Sequence, residues 1–300
     1  MPTVATVPFA EIPLTEETID AVRARWPQLE LRAVEPDRLY GGEESAAYRI
    51  DHVVVRIGPT WRSSDDAEWC HAIAAAASVT VPEAIAPLQS RRGTTVERVA
   101  GRPISIWPYV EGRWPDEDND HLFTEAARLL ARLHRALRHH VPPIRPAPSA
   151  PMRNDPTTED SELDRWLEGF AGRHPDQQPL HGDYYAGNLL VREGRLVAVL
   201  DWDEAFVSPA ERELAWAACE WGDVLWQAEL RDAREFIEIY TDSGGPAGGV
   251  TDLDVAQLYR QRLRSELAYA AAAEQRGAMP DADDLEYHQR QRDVFRQLRP

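Results

Sequence analysis

Apolar residues along this 300-residue chain follow two kinds of pattern, and the change between them falls near residue 110. Between about residues 30 and 107 they come as short runs separated by turn residues, which is the mark of strands. From Asp120 onward they recur at helical spacing. The first part opens with a helix from Thr15 to Trp26, acidic in its first turn. Strands are expected at Leu31–Val34, Ala46–Ile50 and Val53–Ile57, with Gly41-Gly42 turning the chain between the first two. Ser64, Asp65 and Asp66 make an N-cap and acidic first turn for a helix reaching about Ala77. Strand signals return at Ala84–Gln89, Thr94–Val99 and Pro103–Val110, with Arg91-Arg92-Gly93 as a turn.

In the second part Leu122, Ala126, Leu129, Leu130, Leu133 and Leu137 mark one face of a long helix. A proline-rich connector spans 141–156, and a short helix runs from Ser161 to Ala171. Leu189–Val191 and Leu196–Leu200 are apolar runs around the polar turn Arg192–Arg195, and so predict a hairpin. Helical stretches follow at about 210–221, 224–242, 252–276 and 282–298, with Gly244-Gly245-Pro246 and Gly277 as stops.

Composition narrows the possibilities. No apolar run is long enough to span a bilayer, no basic-then-apolar leader opens the chain, and the two cysteines, Cys70 and Cys219, are too few for a disulfide scaffold. A cytoplasmic protein is expected. All 33 basic side chains are arginine, against 51 Asp and Glu, for a net charge of −18. That balance argues against nucleic acid or an anionic membrane as partner and favours a cationic small molecule.

The chemistry concentrates in His181-Gly182-Asp183-Tyr184-Tyr185-Ala186-Gly187-Asn188 and Leu200-Asp201-Trp202-Asp203. The hairpin between them brings Asn188 and Asp201 side by side, with Asp183 on the loop leading in. A carboxylate, an amide and a second carboxylate make an all-oxygen site suited to Mg²⁺, which binds through few protein ligands plus phosphate oxygens. Zinc would want Cys or more His. The remaining histidines have no metal-ligand spacing.

This ordered set resembles the kinase catalytic loop and its metal-binding Asp, and more closely the aminoglycoside phosphotransferase and choline kinase-like superfamily. There the motif is His-Gly-Asp, four residues, Asn, followed by a Leu/Ile-Asp-Trp/Phe segment. The resemblance covers about 31–240. It implies an α+β, protein-kinase-like two-lobed fold: a nucleotide-binding lobe over 1–107 and a helical catalytic and substrate-binding lobe over 108–300. The hinge would lie at 107–112. It further implies a small-molecule O-phosphotransferase moving the γ-phosphate of ATP or GTP to a hydroxyl, with Mg²⁺. An antibiotic-modifying kinase comes first, with a choline, homoserine or sugar kinase next and a pseudokinase-like binding protein last.

Carried over residue by residue, Asp183 accepts the hydroxyl proton, while Asn188 and Asp201 hold the metal. Asp203, two residues on, is a second candidate ligand, pointing the same way if the segment is extended. His181 braces the loop. Gly41, Gly42 and Ser45 stand where the phosphate-covering loop belongs, although no Walker sequence is present. Arg56 takes the place of the phosphate-pairing strand lysine, with Glu68 as its ion-pair partner. Trp107, Tyr109 and Val110 belong to the hinge facing the nucleotide base. Because Pro108 lacks an N–H, Tyr109 or Val110 would donate to the base edge. Glu211, Glu213, Glu220 and Asp223 are candidate acceptor contacts, with Trp202, Trp216, Trp221 and Trp226 as an aromatic wall.

Overall fold

In the first part of the chain the strands and the first helix meet over a small apolar core, while the second helix buries its apolar face in the larger core of the helical part. The elements there are α1 (Glu16–Arg25), β1 (Asp37–Leu39), β2 (Ala46–Ile50), β3 (Val53–Ile57), α2 (Ser64–Ser78), β4 (Glu97–Val99) and β5 (Arg102–Pro108). The structure, a computed structural model, describes residues 11–32, 34–39, 45–116, 119–146, 155–275, 277 and 279–300. Gly41 and Gly42, and residues 147–154 of the proline-rich connector, therefore lie outside the described residues.

The strands form an antiparallel sheet in the order β1-β2-β3-β5-β4. Along β3, Val53, Val55 and Ile57 are buried with Ile104 and Ile106 of β5, and Val22 and Trp26 of the α1 region close the same core. Period-two alternation therefore puts Arg56 on the opposite face, opposite Ser105 of β5. Of the strand expected at Leu31–Val34, Leu31, Arg32 and Val34 are not in a strand and Ala33 lies outside the described residues; the first ladder forms later, at Asp37–Leu39. Nor does Ala84–Gln89 join the sheet as a strand. Ala84 bridges Val199 and Leu88 bridges Ile106, so this run ties the sheet to the hairpin of the second lobe.

The second part contains α3 (Asp120–Leu137), α4 (Ser161–Arg173), β6 (Gln178–Leu180), β7 (Leu189–Arg192), β8 (Arg195–Val199), β9 (Phe206–Ser208), α5 (Ala210–Trp221), α6 (Val224–Gln227), α7 (Arg231–Asp242), α8 (Asp252–Gln275) and α9 (Ala282–Gln297). Asn119 caps α3 by accepting from the N–H groups of His121 and Leu122, and every apolar residue of its expected stripe is buried. The single helix expected over 224–242 is broken, with Ala228 in the left-handed region at φ 57° between α6 and α7. Two three-residue strands too short to stand out in sequence, β6 and β9, pair antiparallel and frame the loop that follows β6. The result is a small antiparallel sheet lobe followed by a larger helical lobe.

Candidate active site

The loop after β6 is set by hydrogen bonds that leave it little freedom. His181 is buried; its Nε2 donates to the carbonyl of Leu200 at 2.7 Å, and its Nδ1 accepts from the N–H of Asp183 at 3.2 Å. Those two bonds select the Nε2-protonated neutral tautomer. Trp202, fully buried, meets the imidazole edge-on at 4.6 Å. Gly182 sits at φ 91°, and a Cβ there would lie 2.1 Å from the carbonyl oxygen of Glu204, so only glycine fits. On the other side Glu213 accepts from the N–H groups of His181, at 3.3 Å, and Gly182, while His134 Nε2 meets it at 2.8 Å. Burial is the largest influence on the Glu213 carboxyl and raises it, but His134, His181 and the Gly182 N–H together outweigh burial and hold it below the ordinary value.

Asn188 closes a 3-10 turn, Ala186–Asn188, at the start of β7. Its Nδ2 donates to both the carbonyl of Asp183, at 2.9 Å, and Asp183 Oδ2, at 2.7 Å. Its own carbonyl accepts from Leu200 at 2.8 Å, closing the base of the β7–β8 hairpin beside Asp201. Asp201 is left-handed at φ 51°, so the segment to Asp203 is turned rather than extended. Both carboxylates nonetheless converge on Arg56. Its Nη1 and Nη2 reach Asp201 at 3.0 and 3.1 Å, and Nη2 reaches Asp203 at 2.8 Å. Arg62 holds Asp203 from the far side, through the carboxylate and the carbonyl, each at 3.0 Å.

The expected ion pair between Arg56 and Glu68 is not made. Glu68 instead accepts from the N–H of Val96 at 3.3 Å, and Arg56 is neutralised by the two aspartates. Ser45, Arg56, Arg62, His71, Ser105 and Asp203 share one recess between the lobes. His71 faces it neutral, because burial, then Arg56 and Arg62, pull it down to about 3. Tyr109 does not offer a free N–H, since it donates to the carbonyl of His52 at 2.9 Å, and its ring lies 3.9 Å under the Arg49 guanidinium. Trp107 is buried and donates to Ser105, so it packs in the core rather than flanking a base. Of the two residues expected to donate there, that leaves Val110.

Among the four acidic residues expected to touch an acceptor, only Glu220 faces Asp183. Glu213 locks the loop as described, Glu211 engages His174 and the N–H of Gly248, and Asp223, left-handed at the N-terminal end of α6, meets Gln227. Burial, then Glu266 beside it, pushes Glu220 up to about 8. Trp202 and Trp221 are core, Trp216 is half-buried, and Trp226 is exposed. The sequence reading missed Arg262 and Glu266 of α8. Arg262 Nη2 binds Asp183 Oδ1 at 2.5 Å, and its Nε binds Glu266 at 2.5 Å. Spaced four apart on a highly charged helix, they read in sequence as an ordinary solvated pair.

The donor set suits magnesium. Both Asn188 amide hydrogens are committed to Asp183, which leaves Oδ1, and Asp201 and Asp203 add only oxygens. Among the described residues no three His, Cys, Asp or Glu side chains form a closed metal cage. Cys70 and Cys219 are free and buried, and no described helix is long and apolar enough to cross a membrane.

A sheet lobe, a helical lobe and an Asp–Asn–Asp site between them define a small-molecule phosphotransferase of kinase-like fold, an enzyme that carries phosphate to a hydroxyl acceptor. The chain belongs to the phosphotransferase enzyme family, whose model matches residues 38–247. Solved structures agree on the fold. Spectinomycin phosphotransferase, in complex with ADP and spectinomycin, is 14% identical with a TM-score of 0.63, covering 95% of this chain and 98% of that one. Amicoumacin kinase with AMP-PNP and Ca²⁺ gives 14% and 0.65, over 92% and 91% of the two chains. A choline/ethanolamine kinase family protein from Mesorhizobium loti gives 15% and 0.64, over 93% of each. Among curated protein sequences none matches this chain.

Proposed function

We propose that this enzyme transfers the γ-phosphoryl group of ATP, bound with Mg²⁺, to a hydroxyl of an amine-bearing small molecule. The observation that carries the reading is the convergence of Asp183, Asn188 and Asp201 within one hydrogen-bonded loop and hairpin, with Arg56 on the metal-side carboxylates. Nucleotide would lie between a lobe of residues 1–107 and one of 108–300, its base against the Val110 N–H of the hinge at 107–112. Asp183 orients the acceptor hydroxyl and takes its proton. The acceptor oxygen forms the new bond to phosphorus as the bond to the β-phosphate oxygen breaks, releasing ADP. Asn188 and Asp201, with Asp203 beside them, would hold the magnesium, which would supply neutralising charge to the phosphates. Arg56 and Arg62 add fixed positive charge on the same side, so positioning and electrostatics carry the rate.

The acceptor class follows from the acidic side of Asp183. Glu220, Glu266 and Glu204 surround it, with Arg262 the cation they share. An acceptor ammonium group would relieve that partly buried excess of carboxylates. Aminated antibiotics are the first acceptors to try, and choline, homoserine and related amino alcohols the second. The test is ADP release from Mg·ATP across paired acceptors that differ only in an amine, for wild type and Asp183→Asn. Turnover confined to the aminated members and lost in the variant is expected. A full rate in Asp183→Asn, or a preference for neutral acceptors, would reject the reading.

A further inference from the structure

We infer that Arg262 is a positioning residue for phosphoryl transfer: from α8 it holds the Asp183 carboxylate in the orientation from which it takes the acceptor proton. This rests on Asp183 being the proton acceptor, as proposed above. Arg262 comes from 79 residues away in sequence, and it lies outside residues 38–247, the segment that the family model matches. Every polar group of its guanidinium is engaged. Nη2 donates to Asp183 Oδ1 at 2.5 Å, Nη1 to the Gly182 carbonyl at 3.2 Å, and Nε pairs with Glu266 at 2.5 Å. Its central carbon Cζ lies 5.5 Å from the centroid of the Trp216 ring, and Trp216 is itself tied to the Leu258 carbonyl at 2.8 Å.

This geometry favours an orienting role over a removable cap, because leaving Asp183 would break three polar contacts and a ring contact together. The planar fork binds the Gly182 carbonyl and the Asp183 carboxylate at once, so it sets the rotation of the side chain relative to its own backbone. A lysine, as a single point donor, cannot do both. Asn188 binds the other carboxylate oxygen. An ionised carboxylate has about four lone-pair sites, so the two bonds leave room for the acceptor hydroxyl. Glu266, one turn further along α8, holds the guanidinium from behind.

The test measures kcat, both KM values and Mg·ATP affinity for the full-length enzyme and for Arg262→Met, Arg262→Lys and Asp183→Asn. In Arg262→Met kcat should fall about 10²-fold, as for a misplacement of about 1 Å at the reacting group, while Mg·ATP affinity holds. Added guanidinium ion should restore part of that kcat where equal sodium chloride does not, and Arg262→Lys should fall between. If Asp183→Asn is inactive but Arg262→Met keeps kcat within threefold, the positioning role is overturned and the proton acceptor stands. If Asp183→Asn is itself fully active, the proposed function falls instead. A loss in Arg262→Met that guanidinium does not relieve would mark a purely structural residue and overturn the inference. Should Arg262→Met fail to fold, Arg262→Lys decides: reduced kcat at unchanged Mg·ATP affinity supports the role, and unchanged kcat overturns it.

Discussion

Replacing Glu213 with alanine removes the acceptor of three bonds at once: from His134 Nε2, from the His181 N–H and from the Gly182 N–H. The side chains of His134 and Glu213 are only 1% and 2% exposed, so bulk water cannot substitute for the lost carboxylate. Breaking a buried pair by removing one partner costs about 3–5 kcal/mol, and the orphaned N–H groups draw on the same desolvation penalty. At a few degrees per kcal/mol, Tm should drop by roughly 6–20 °C. Because the freed groups belong to the two residues before Asp183, kcat should fall while acceptor KM changes little. The pH dependence has a definite sign. The folded chain holds this carboxyl below its ordinary value, so its contribution is present above about pH 4 and is lost as pH falls further. The gap in Tm between wild type and Glu213→Gln should therefore narrow in acid. Far-UV melts at pH 7 and pH 3.5, with steady-state kinetics at 25 °C, decide the matter. A variant within 2 °C of wild type whose only defect is a raised acceptor KM would refute this account and return Glu213 to the acceptor site.

Gly182→Ala forces the Glu204 carbonyl and the new Cβ, 2.1 Å apart, to separate by about 0.9 Å to reach 3.0 Å. With about 1–2 kcal/mol of left-handed strain added, it should lose on the order of 10²-fold in kcat and several degrees in Tm. A variant that keeps half the wild-type rate would refute the close approach. Arg56→Lys cannot span Asp201 and Asp203 as the fork does, so nucleotide KM should rise with acceptor KM unchanged; if neither moves, the phosphate cation is another arginine. Folding raises the Glu220 carboxyl from 4.5 to about 8, so across that window the wild type loses stability as pH rises. Glu220→Gln should then melt higher than wild type at pH 8.5 and alike at pH 4, and parallel curves over that range would exclude the half-buried, acidic environment assigned to Glu220.

What could be read from the sequence was what short stretches of chain determine for themselves. The period-two run Val53–Ile57 places Arg56 away from the sheet core whatever lies beyond it. The polar turn between Leu189–Val191 and Leu196–Leu200 closes the hairpin that sets Asn188 beside Asp201. The α3 stripe and its Asn119 cap follow from 3.6-residue periodicity and unsatisfied first-turn N–H groups. In each case the deciding interactions span a few residues.

Only the tertiary structure decided who partners whom across long separations. Glu68 was the local choice for Arg56, yet the charge is met by Asp201, 145 residues away, because lobe packing brings the loop after β8 closer than the neighbouring helix. Glu213 sat among acidic residues that looked interchangeable. Burial against His134, itself bonded to Tyr240, turned one into a loop anchor, while Glu220 was left facing Asp183. Arg262 carried no signal at all, since an arginine four residues before a glutamate on a charged helix is ordinary until the helix is docked. The strands β6 and β9 are three residues each, too short to stand out in sequence, and are defined by pairing with each other. Residue identity determines backbone pattern through sterics and local hydrogen bonds; which charges end up desolvated together depends on how the lobes and helices pack, and no window of sequence contains that.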